Sequence, residues 1–236
     1  MLHKELIQAR DKIFKDAQKV LREKAIECHI FGSVARGDSD PYSDLDIWFT
    51  FKDKDTNEVI ENRLKYYSQI GEIIHICEAP QNRPTDGIHS ALLYKTSNDL
   101  LQTVDIYLCP ISTSFVTKES KRIFGDIDLP QDELSFNTEK FIVDKTYRID
   151  FIIGFTFTSI KRIARKEKGA LEPLSREYAY LSERYDITVE TITSRENSFA
   201  NLRQIIANLK KVSNGKQMRA LSEIESFSFK VEMARE

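Results

Sequence analysis

The sequence lacks the features of an exported or membrane-bound protein. Its three cysteines, Cys28, Cys77 and Cys109, lie far apart and form no C-x-x-C pair, which gives no support to a zinc site or a redox dithiol. No apolar run approaches the roughly 18 residues of a transmembrane helix. The N-terminus mixes charged with apolar residues and has no signal-peptide core. We therefore expect a cytoplasmic protein with reduced thiols and no membrane contact.

Histidine and excess positive charge are scarce as well. The few histidines are scattered, which does not indicate a zinc site; they are His3, His29, His75 and His89. The 35 basic and 37 acidic side chains give a formal net charge of -2, whereas proteins that bind nucleic acid through its phosphates usually have a basic excess. A polymeric RNA or DNA substrate is therefore not expected.

The spacing of apolar residues predicts the secondary structure of the first half of the chain. They recur at steps of three or four over 6–20, which predicts an amphipathic helix, and then alternate over 26–30 and 45–51, which predicts two strands. Asp55 followed by Glu58 resembles a capping box and predicts a helix that continues to Tyr67. Three further β-prone segments, EIIHICE, IHSALLY and TVDIYLC, complete a predicted mixed sheet of about five strands.

The second half has a different character. After Pro110 the strand signal fades, and the acidic, turn-rich stretch 125–135 suggests a domain boundary. From Asn137 onward the residues favour helices. We therefore predict an α+β fold in two domains, with the sheet and its flanking helices in 1–128 and a C-terminal helical bundle in 129–236.

The most informative stretch is FGSVARGDSDPYSDLDIWF, residues 31–49. Gly32 and Gly37 allow a tight bend whose N–H groups approach an anion, and the Ser33 hydroxyl can donate to a terminal phosphate oxygen. No G-K-S/T follows these glycines, so the loop is unlike that of a P-loop kinase or ATPase. Arg36 is a further phosphate-binding candidate, with an ion pair that fixes the loop as the alternative.

Two carboxylates follow this bend at the start of an apolar strand. Asp44 and Asp46 are two residues apart, so both side chains leave one face of the strand, with roughly 6 to 7 Å between their Cα atoms. Oxygen ligands of this kind suit Mg²⁺. D-x-D also occurs by chance in exposed strands and Gly-Ser in ordinary turns, but the combination at this spacing favours a functional site.

These residues resemble those of the nucleotidyltransferases of the DNA polymerase β superfamily, which have a G-S motif, a spaced D-x-D and a third carboxylate on a later strand. The resemblance implies that Gly32 and Ser33 bind the triphosphate of ATP or another NTP, with Arg36 and Ser43 as neighbouring nucleotide-binding candidates. It also implies that the aspartates hold two Mg²⁺ ions and that an acceptor hydroxyl attacks the α-phosphorus while pyrophosphate leaves.

The third carboxylate is predicted to be Asp105. It lies in VDIYL, where Val104, Ile106 and Leu108 alternate on one face and Asp105 is on the other. The alternative is an exposed polar position in a hairpin. Asp99 competes less well because it falls in the predicted turn.

The arrangement of a transferase domain followed by a helical domain resembles that of the aminoglycoside and lincosamide antibiotic nucleotidyltransferases. The resemblance implies transfer of a nucleoside monophosphate, preferentially AMP, to a hydroxyl of a small molecule. An acidic surface made by Glu72, Glu78 and Asp86 would attract a polycationic acceptor, although the simpler explanation of these residues as solvated surface acids is favoured. Two rivals stay open, namely a toxin–antitoxin-type nucleotidyltransferase acting on a protein or a tRNA end, and a degenerate nucleotide-binding module.

The predicted helical half supplies the remaining candidates. Asp144 and Asp150 are candidate general bases, and Lys145 and Arg148 candidate phosphate contacts, with surface charge as the alternative for each. The apolar run 151–157 is suited either to burial within the bundle or to a partner subunit. The protein is therefore expected to be a monomer or a homodimer.

Overall fold

The structure is a computed structural model that describes residues 1–134, 145–185 and 198–234. Its contacts separate into two compact units, one containing the described residues from His3 to 134 and one containing those from 145 onward. Leu129 is buried, and Gln131 forms a bridge with Val116, so these residues belong with the first unit. The predicted division at 128/129 stays a proposal.

The first unit contains the sheet and the helices that cover it. In chain order its elements are α1 (Leu2–Leu21), β1 (Glu27–Phe31), α2 (Gly32–Arg36), β2 (Leu45–Phe51), α3 (Asp53–Glu61), α4 (Arg63–Ile70), β3 (Glu72–Cys77), β4 (Ile88–Lys95), β5 (Leu101–Pro110) and β6 (Lys121–Phe124). The predicted amphipathic first helix and the five predicted strands are all present.

The sheet has six strands in the order β3-β4-β5-β2-β1-β6. Strands β2 and β5 are parallel and the other neighbours antiparallel, so the predicted mixed sheet is confirmed with one strand more than expected. The sequence did not predict β6, because none of its four residues is buried and no apolar alternation marks it. Its pairing with β1 is supported by Glu27, whose carboxylate accepts from Ile127 N at 2.8 Å and lies 2.7 Å from Arg122 Nε.

The predicted capping box at Asp55 is wrong. Helix α3 begins at Asp53 with Lys52 as its N-cap, so Asp55 lies inside the first turn, and the helix ends at Glu61 before α4 begins. Asp53 and Asp55 both lie near the positive end of the helix dipole, where carboxylates are favourable. The acidic signal therefore identified the correct turn but the wrong cap.

The helices α1, α3 and α4 pack on one face of the sheet. Their buried residues form a continuous core with the side chains that β2 and β5 present to this face, which include Leu45, Ile47, Phe49, Phe51, Val104, Ile106 and Leu108. The opposite face has a smaller cluster of Phe31, Trp48, Tyr107 and Cys109. We call these the core face and the second face.

The second unit is helical, as predicted. It consists of α5 (Lys145–Ala164), α6 (Glu172–Tyr185), α7 (Phe199–Val212) and α8 (Gly215–Met233). Ile152, Ile153 and Phe157 of the apolar run are buried, and Phe157 stacks on Phe227 of α8. Packing within the unit thus accounts for the run. Across the described residues, no helix has both the length and the apolar character needed to cross a bilayer.

Candidate active site

Two of the three predicted carboxylates lie side by side in the middle of the sheet. Asp46 on β2 pairs with Asp105 on β5 in the parallel ladder, which places their Cα atoms about 4.8 Å apart. Both side chains leave the second face, because their neighbours Ile47 and Ile106 are fully buried on the core face. The Asp105 side chain keeps 23% of its surface exposed, so solvent and ligands can reach it.

Asp44 is placed by the loop that leads into β2. It comes directly before Leu45, two residues from Asp46, and is half-buried. Asp40 shapes this loop, since its Oδ1 accepts from Tyr42 N at 2.8 Å and its own N–H donates to Ser43 Oγ at 2.9 Å. Asp46 and Asp105 are therefore side by side on the second face, and Asp44 precedes Asp46 in the loop that leads into β2.

Gly32 brings the G-S motif against Asp46. It has a φ of +69°, a left-handed conformation that favours glycine, and a Cβ at this position would overlap Asp46 Oδ2. Strand pairing explains the proximity, because Phe31 is the β1 partner of Asp46. The predicted loop is a single helical turn, α2, which contains Ser33 and ends at Arg36, with Gly37 as its C-cap at a φ of +82°.

Arg36 and Ser43, the two weaker nucleotide-binding candidates, both have partners in the protein. Arg36 Nε donates to Asp38 at 3.1 Å and Nη1 to Glu119 at 2.7 Å, and these hydrogen bonds raise the pKa of the exposed guanidinium. Ser43 is buried in the loop, where its Oγ donates to Asp40 Oδ1 and its carbonyl accepts from Gln102. The contacts of both residues stabilise the segment between α2 and β2.

His89 is a site residue that the sequence interpretation dismissed. Its Nε2 lies 2.7 Å from Asp105 Oδ1, and its ring packs against Tyr107 with 4.5 Å between centroids. The alternation Ile88, Leu92, Tyr94 on the core face would have assigned His89 to the second face. The hairpin register, in which His89 pairs with Tyr107, was the missing information.

The electrostatics of this region reflect its two carboxylates. Burial raises the pKa of the Tyr107 phenol well above its usual range, and the nearby charges of Asp105 and Asp46 raise it further. Such neighbouring carboxylates attract a cation. Their oxygen atoms are the ligand type that Mg²⁺ prefers.

Within the ranges 1–134, 145–185 and 198–234, no three His, Cys, Asp or Glu side chains form a group that encloses a metal ion. Mg²⁺ does not require such a group, because it keeps several waters and is usually bound through one or two carboxylates together with substrate phosphates. Adjacent Asp46 and Asp105, with Gly32 next to Asp46, fit that requirement.

A cavity of about 960 Å³ lies toward the end of β5, where residues of α3 line it together with Tyr107 and Pro110. It begins at Tyr107 and Phe115, so it adjoins the carboxylates without including them. Four acidic residues line it, namely Asp53, Asp86, Asp132 and Glu133. Arg83 is its one basic residue among the described lining, and Arg83 Nε donates to Gly87 O at 2.9 Å. The cavity is acidic and has the size of a small-molecule site.

The other two predicted acids of the acceptor surface lie elsewhere. Glu78 accepts two hydrogen bonds from Arg63, at 2.6 and 2.7 Å, and a third from Ser90 at 2.7 Å. Glu72 is exposed on β3, the edge strand. Of the predicted trio, only Asp86 lines the cavity.

The candidates of the helical unit have their own surroundings. Arg148 is 1% exposed, forms an ion pair with Glu177 and lies 4.2 Å from the Tyr180 ring centroid, so it is a buried arginine and not a solvated one. Asp150 Oδ1 accepts from Gln217 Nε2 at 2.9 Å. Asp144 lies outside the described residues, as does the Lys145 side chain. The assignment of a general base stays a prediction.

Three solved structures show similarity over most of the chain. An aminoglycoside 6-adenyltransferase from Bacillus subtilis is 12% identical, with 96% of this chain and 95% of that chain covered and a TM-score of 0.31. A spectinomycin adenyltransferase from Enterococcus faecialis, solved with ATP and spectinomycin, is 14% identical, with coverages of 88% and 99% and a TM-score of 0.31. A putative nucleotidyltransferase from H. pylori is 12% identical, with coverages of 96% and 97% and a TM-score of 0.31. Similarity at this level does not bear on the substrate.

The sequence comparison is more decisive. No curated protein matches the chain, but the family described as nucleotidyltransferase domain matches residues 11–173, more than half of the chain. That match contains the G-S turn and all three predicted carboxylates. As its resemblance to the DNA polymerase β superfamily predicted, the chain belongs to the nucleotidyltransferase domain family.

Proposed function

We propose that the protein transfers a nucleoside monophosphate, preferentially AMP, from a magnesium-bound NTP to a hydroxyl of a small molecule, with an aminoglycoside or lincosamide as the acceptor. A bond forms between the acceptor oxygen and the α-phosphorus, the bond to the β-phosphate oxygen breaks, and pyrophosphate leaves. The hydroxyl proton passes to a base, for which Asp144 and Asp150 are the candidates.

The pairing of Asp46 with Asp105 beside Gly32 is the observation on which this proposal rests. Together with Asp44, these carboxylates would hold the Mg²⁺ ions. Bound Mg²⁺ would supply neutralisation of the charge on the triphosphate and on the leaving pyrophosphate. The turn at Gly32 and Ser33 would orient the triphosphate through backbone N–H groups, which have no intrahelical acceptor at the start of a helix.

The acidic cavity supports an acceptor that contains amines. Its negative side chains attract a polycation by their field and can form charge-assisted hydrogen bonds with ammonium groups. Its boundary at Tyr107, two residues after Asp105 on β5, suits an acceptor that extends toward the carboxylates. A neutral or acidic acceptor would gain nothing from this lining.

The test is a transfer assay with each NTP and Mg²⁺ against a panel of aminoglycosides and lincosamides. Pyrophosphate release and product mass are measured for the wild type, Asp46→Asn, Asp105→Asn and Asp99→Asn. Asp99 is a matched control because it lies in the exposed turn before β5, six residues before Asp105, where it pairs with Lys95 at 3.1 Å. We expect turnover to fall by more than about 100-fold in the first two variants and to persist in the third.

Each alternative result has a distinct meaning. Full activity in Asp46→Asn or Asp105→Asn would contradict the site assignment. Silence of the wild type across the panel, together with pyrophosphate release when a protein or tRNA is added, would contradict the small-molecule acceptor. Nucleotide binding without any pyrophosphate release under all conditions would indicate a binding module.

A further inference from the structure

His89 and Asp105 form a hydrogen-bonded pair across the β4–β5 hairpin. The partner of Asp105 in the antiparallel register is Ala91, and His89 lies one same-face position away, opposite Tyr107. The distance from His89 Nε2 to Asp105 Oδ1 is 2.7 Å. The His89 side chain is 3% exposed and that of Asp105 is 23% exposed, so the histidine lies beneath the carboxylate and not at the solvent boundary.

The hydrogen bond defines which ring nitrogen holds the proton. An ionised carboxylate can only accept, so the shared hydrogen must be on Nε2 of His89. Nδ1 is buried and has no hydrogen-bond partner among the described residues. A buried ring nitrogen without a partner costs less free energy as an unprotonated acceptor than as an N–H donor. The Tyr107 ring covers one side of the imidazole, 4.5 Å away between centroids, and restricts its rotation.

The location of the pair relative to Asp46 gives it a function. Asp105 lies between β4 and β2 in the sheet, with His89 on the β4 side and Asp46 on the β2 side. His89 engages Oδ1 of Asp105, which leaves Oδ2 for a ligand and fixes the rotation of the carboxylate. An aspartate without this contact would rotate among several orientations and would bind a cation less well.

We propose that His89 is a positioning residue that holds the Asp105 carboxylate in the orientation needed to bind the metal–triphosphate complex. The inference rests on the proposed function, since it assigns a role toward the same site. Hydrogen bonds to metal-binding groups typically contribute about 10- to 100-fold to metal affinity. The buried ring, its single hydrogen bond to a site carboxylate and its fixed orientation against Tyr107 support that role.

Two amide substitutions separate positioning from simple burial. The side-chain nitrogen of glutamine reaches the place of the histidine Nε2, so His89→Gln retains a donor to Asp105 Oδ1. His89→Asn has the same amide on a side chain one methylene shorter, and its donor falls short of Asp105. Both variants bury an amide on β4, so a purely structural role predicts similar behaviour for both.

The measurement is Mn²⁺ binding, followed by the electron paramagnetic resonance signal of free Mn²⁺, in the presence of an ATP analogue with a methylene between the α- and β-phosphates. That analogue cannot release pyrophosphate, so binding is measured without turnover. We expect His89→Gln to remain within about 3-fold of the wild type and His89→Asn to bind about 10- to 100-fold more weakly, with Asp105→Asn at least as weak.

The outcomes distinguish the two proposals. Wild-type affinity in His89→Asn beside weak binding in Asp105→Asn would overturn the role of His89 alone. Equal weakening in folded Gln and Asn variants would also overturn it. Failure of the wild type to bind Mn²⁺ with the nucleotide would overturn the proposed function as well. Folding is checked by the fluorescence of Trp48, the chain's one tryptophan, which stacks on Tyr107. Should Asn unfold the chain, His89→Met replaces it as the variant without a donor.

Discussion

The two faces of β2 and β5 contrast sharply, although alternate residues of the same strands form them. On the core face, Ile47 and Ile106 sit opposite each other and are fully buried under helices. One residue earlier in each strand, Asp46 and Asp105 sit opposite each other on the second face. Apolar contacts stabilise the first pair, whereas the second pair brings like charges together.

This contrast shows how stability and function are divided within one sheet. The adjacent carboxylates are unfavourable for each other until a cation lies between them, so the fold must hold them in place by other interactions. The core face supplies these, because the register that packs Ile47 against Ile106 also fixes Asp46 beside Asp105. The core face should therefore determine stability and the second face activity.

Truncation of the core face should have the largest effect. Phe49 is fully buried there, and Phe49→Ala removes a ring and leaves a cavity, which typically costs about 3 to 5 kcal/mol of unfolding free energy. Urea denaturation followed by Trp48 fluorescence measures this loss. Asp46→Asn, three residues away in the same strand, is the control and should change the unfolding free energy by less than about 1 kcal/mol. Equal losses in both variants would contradict the division between faces.

Disturbing the contact of Gly32 with Asp46 should give the next largest effect. Gly32→Ala places a methyl group against Asp46 Oδ2 in a left-handed backbone, so we expect transfer activity to fall by more than about 100-fold, or roughly 2.7 kcal/mol in activation free energy. Gly37→Ala is the matched control, since it has the same backbone hand but open space around its Cβ. Steady-state kinetics of both variants measure the difference.

Gly37→Ala should lose stability through backbone strain, by about 1 to 2 kcal/mol, while its activity per folded molecule remains close to that of the wild type. A comparable loss of activity in both glycine variants would show that strain in the turn, and not displacement of Asp46, is responsible.

Residues with a clear alternation were predictable from the sequence. The strands that contain Asp46 and Asp105, and the face on which Asp105 lies, follow from apolar residues at every second position. These positions are dictated locally, because one-sided burial in a sheet requires that period. The G-S turn and the D-x-D spacing are local as well, so the central part of the candidate site could be predicted.

Features that depend on register or on distant contacts were not predictable in this way. The contact of His89 with Asp105 requires the pairing of β4 with β5, which places the hairpin turn around Asn98. Strand β6 depends on the contacts of Glu27 with Arg122 and Ile127, about a hundred residues away in sequence. Both result from tertiary structure, about which a single sequence window contains no information.

The smallest effect should come from His29, a buried histidine on the second face, and should appear in the pH dependence of stability. His29 pairs with Trp48 in the sheet, and burial lowers its pKa below the ordinary 6.5, although Glu27 opposes and Arg122 adds to that lowering. The unfolded chain therefore takes up a proton before the folded chain does. Stability should be complete above pH 6.5 and should fall as the pH decreases from 6.5 toward the folded-state pKa.

His29→Gln should flatten this part of the pH profile, which thermal unfolding between pH 7 and pH 5 measures. His3→Gln is the control, since His3 is exposed on α1, where it contacts Tyr42. The pH profile of stability in this variant should follow that of the wild type. Stability in His29→Gln that falls as steeply as in the wild type would contradict the assignment of this acid sensitivity to His29.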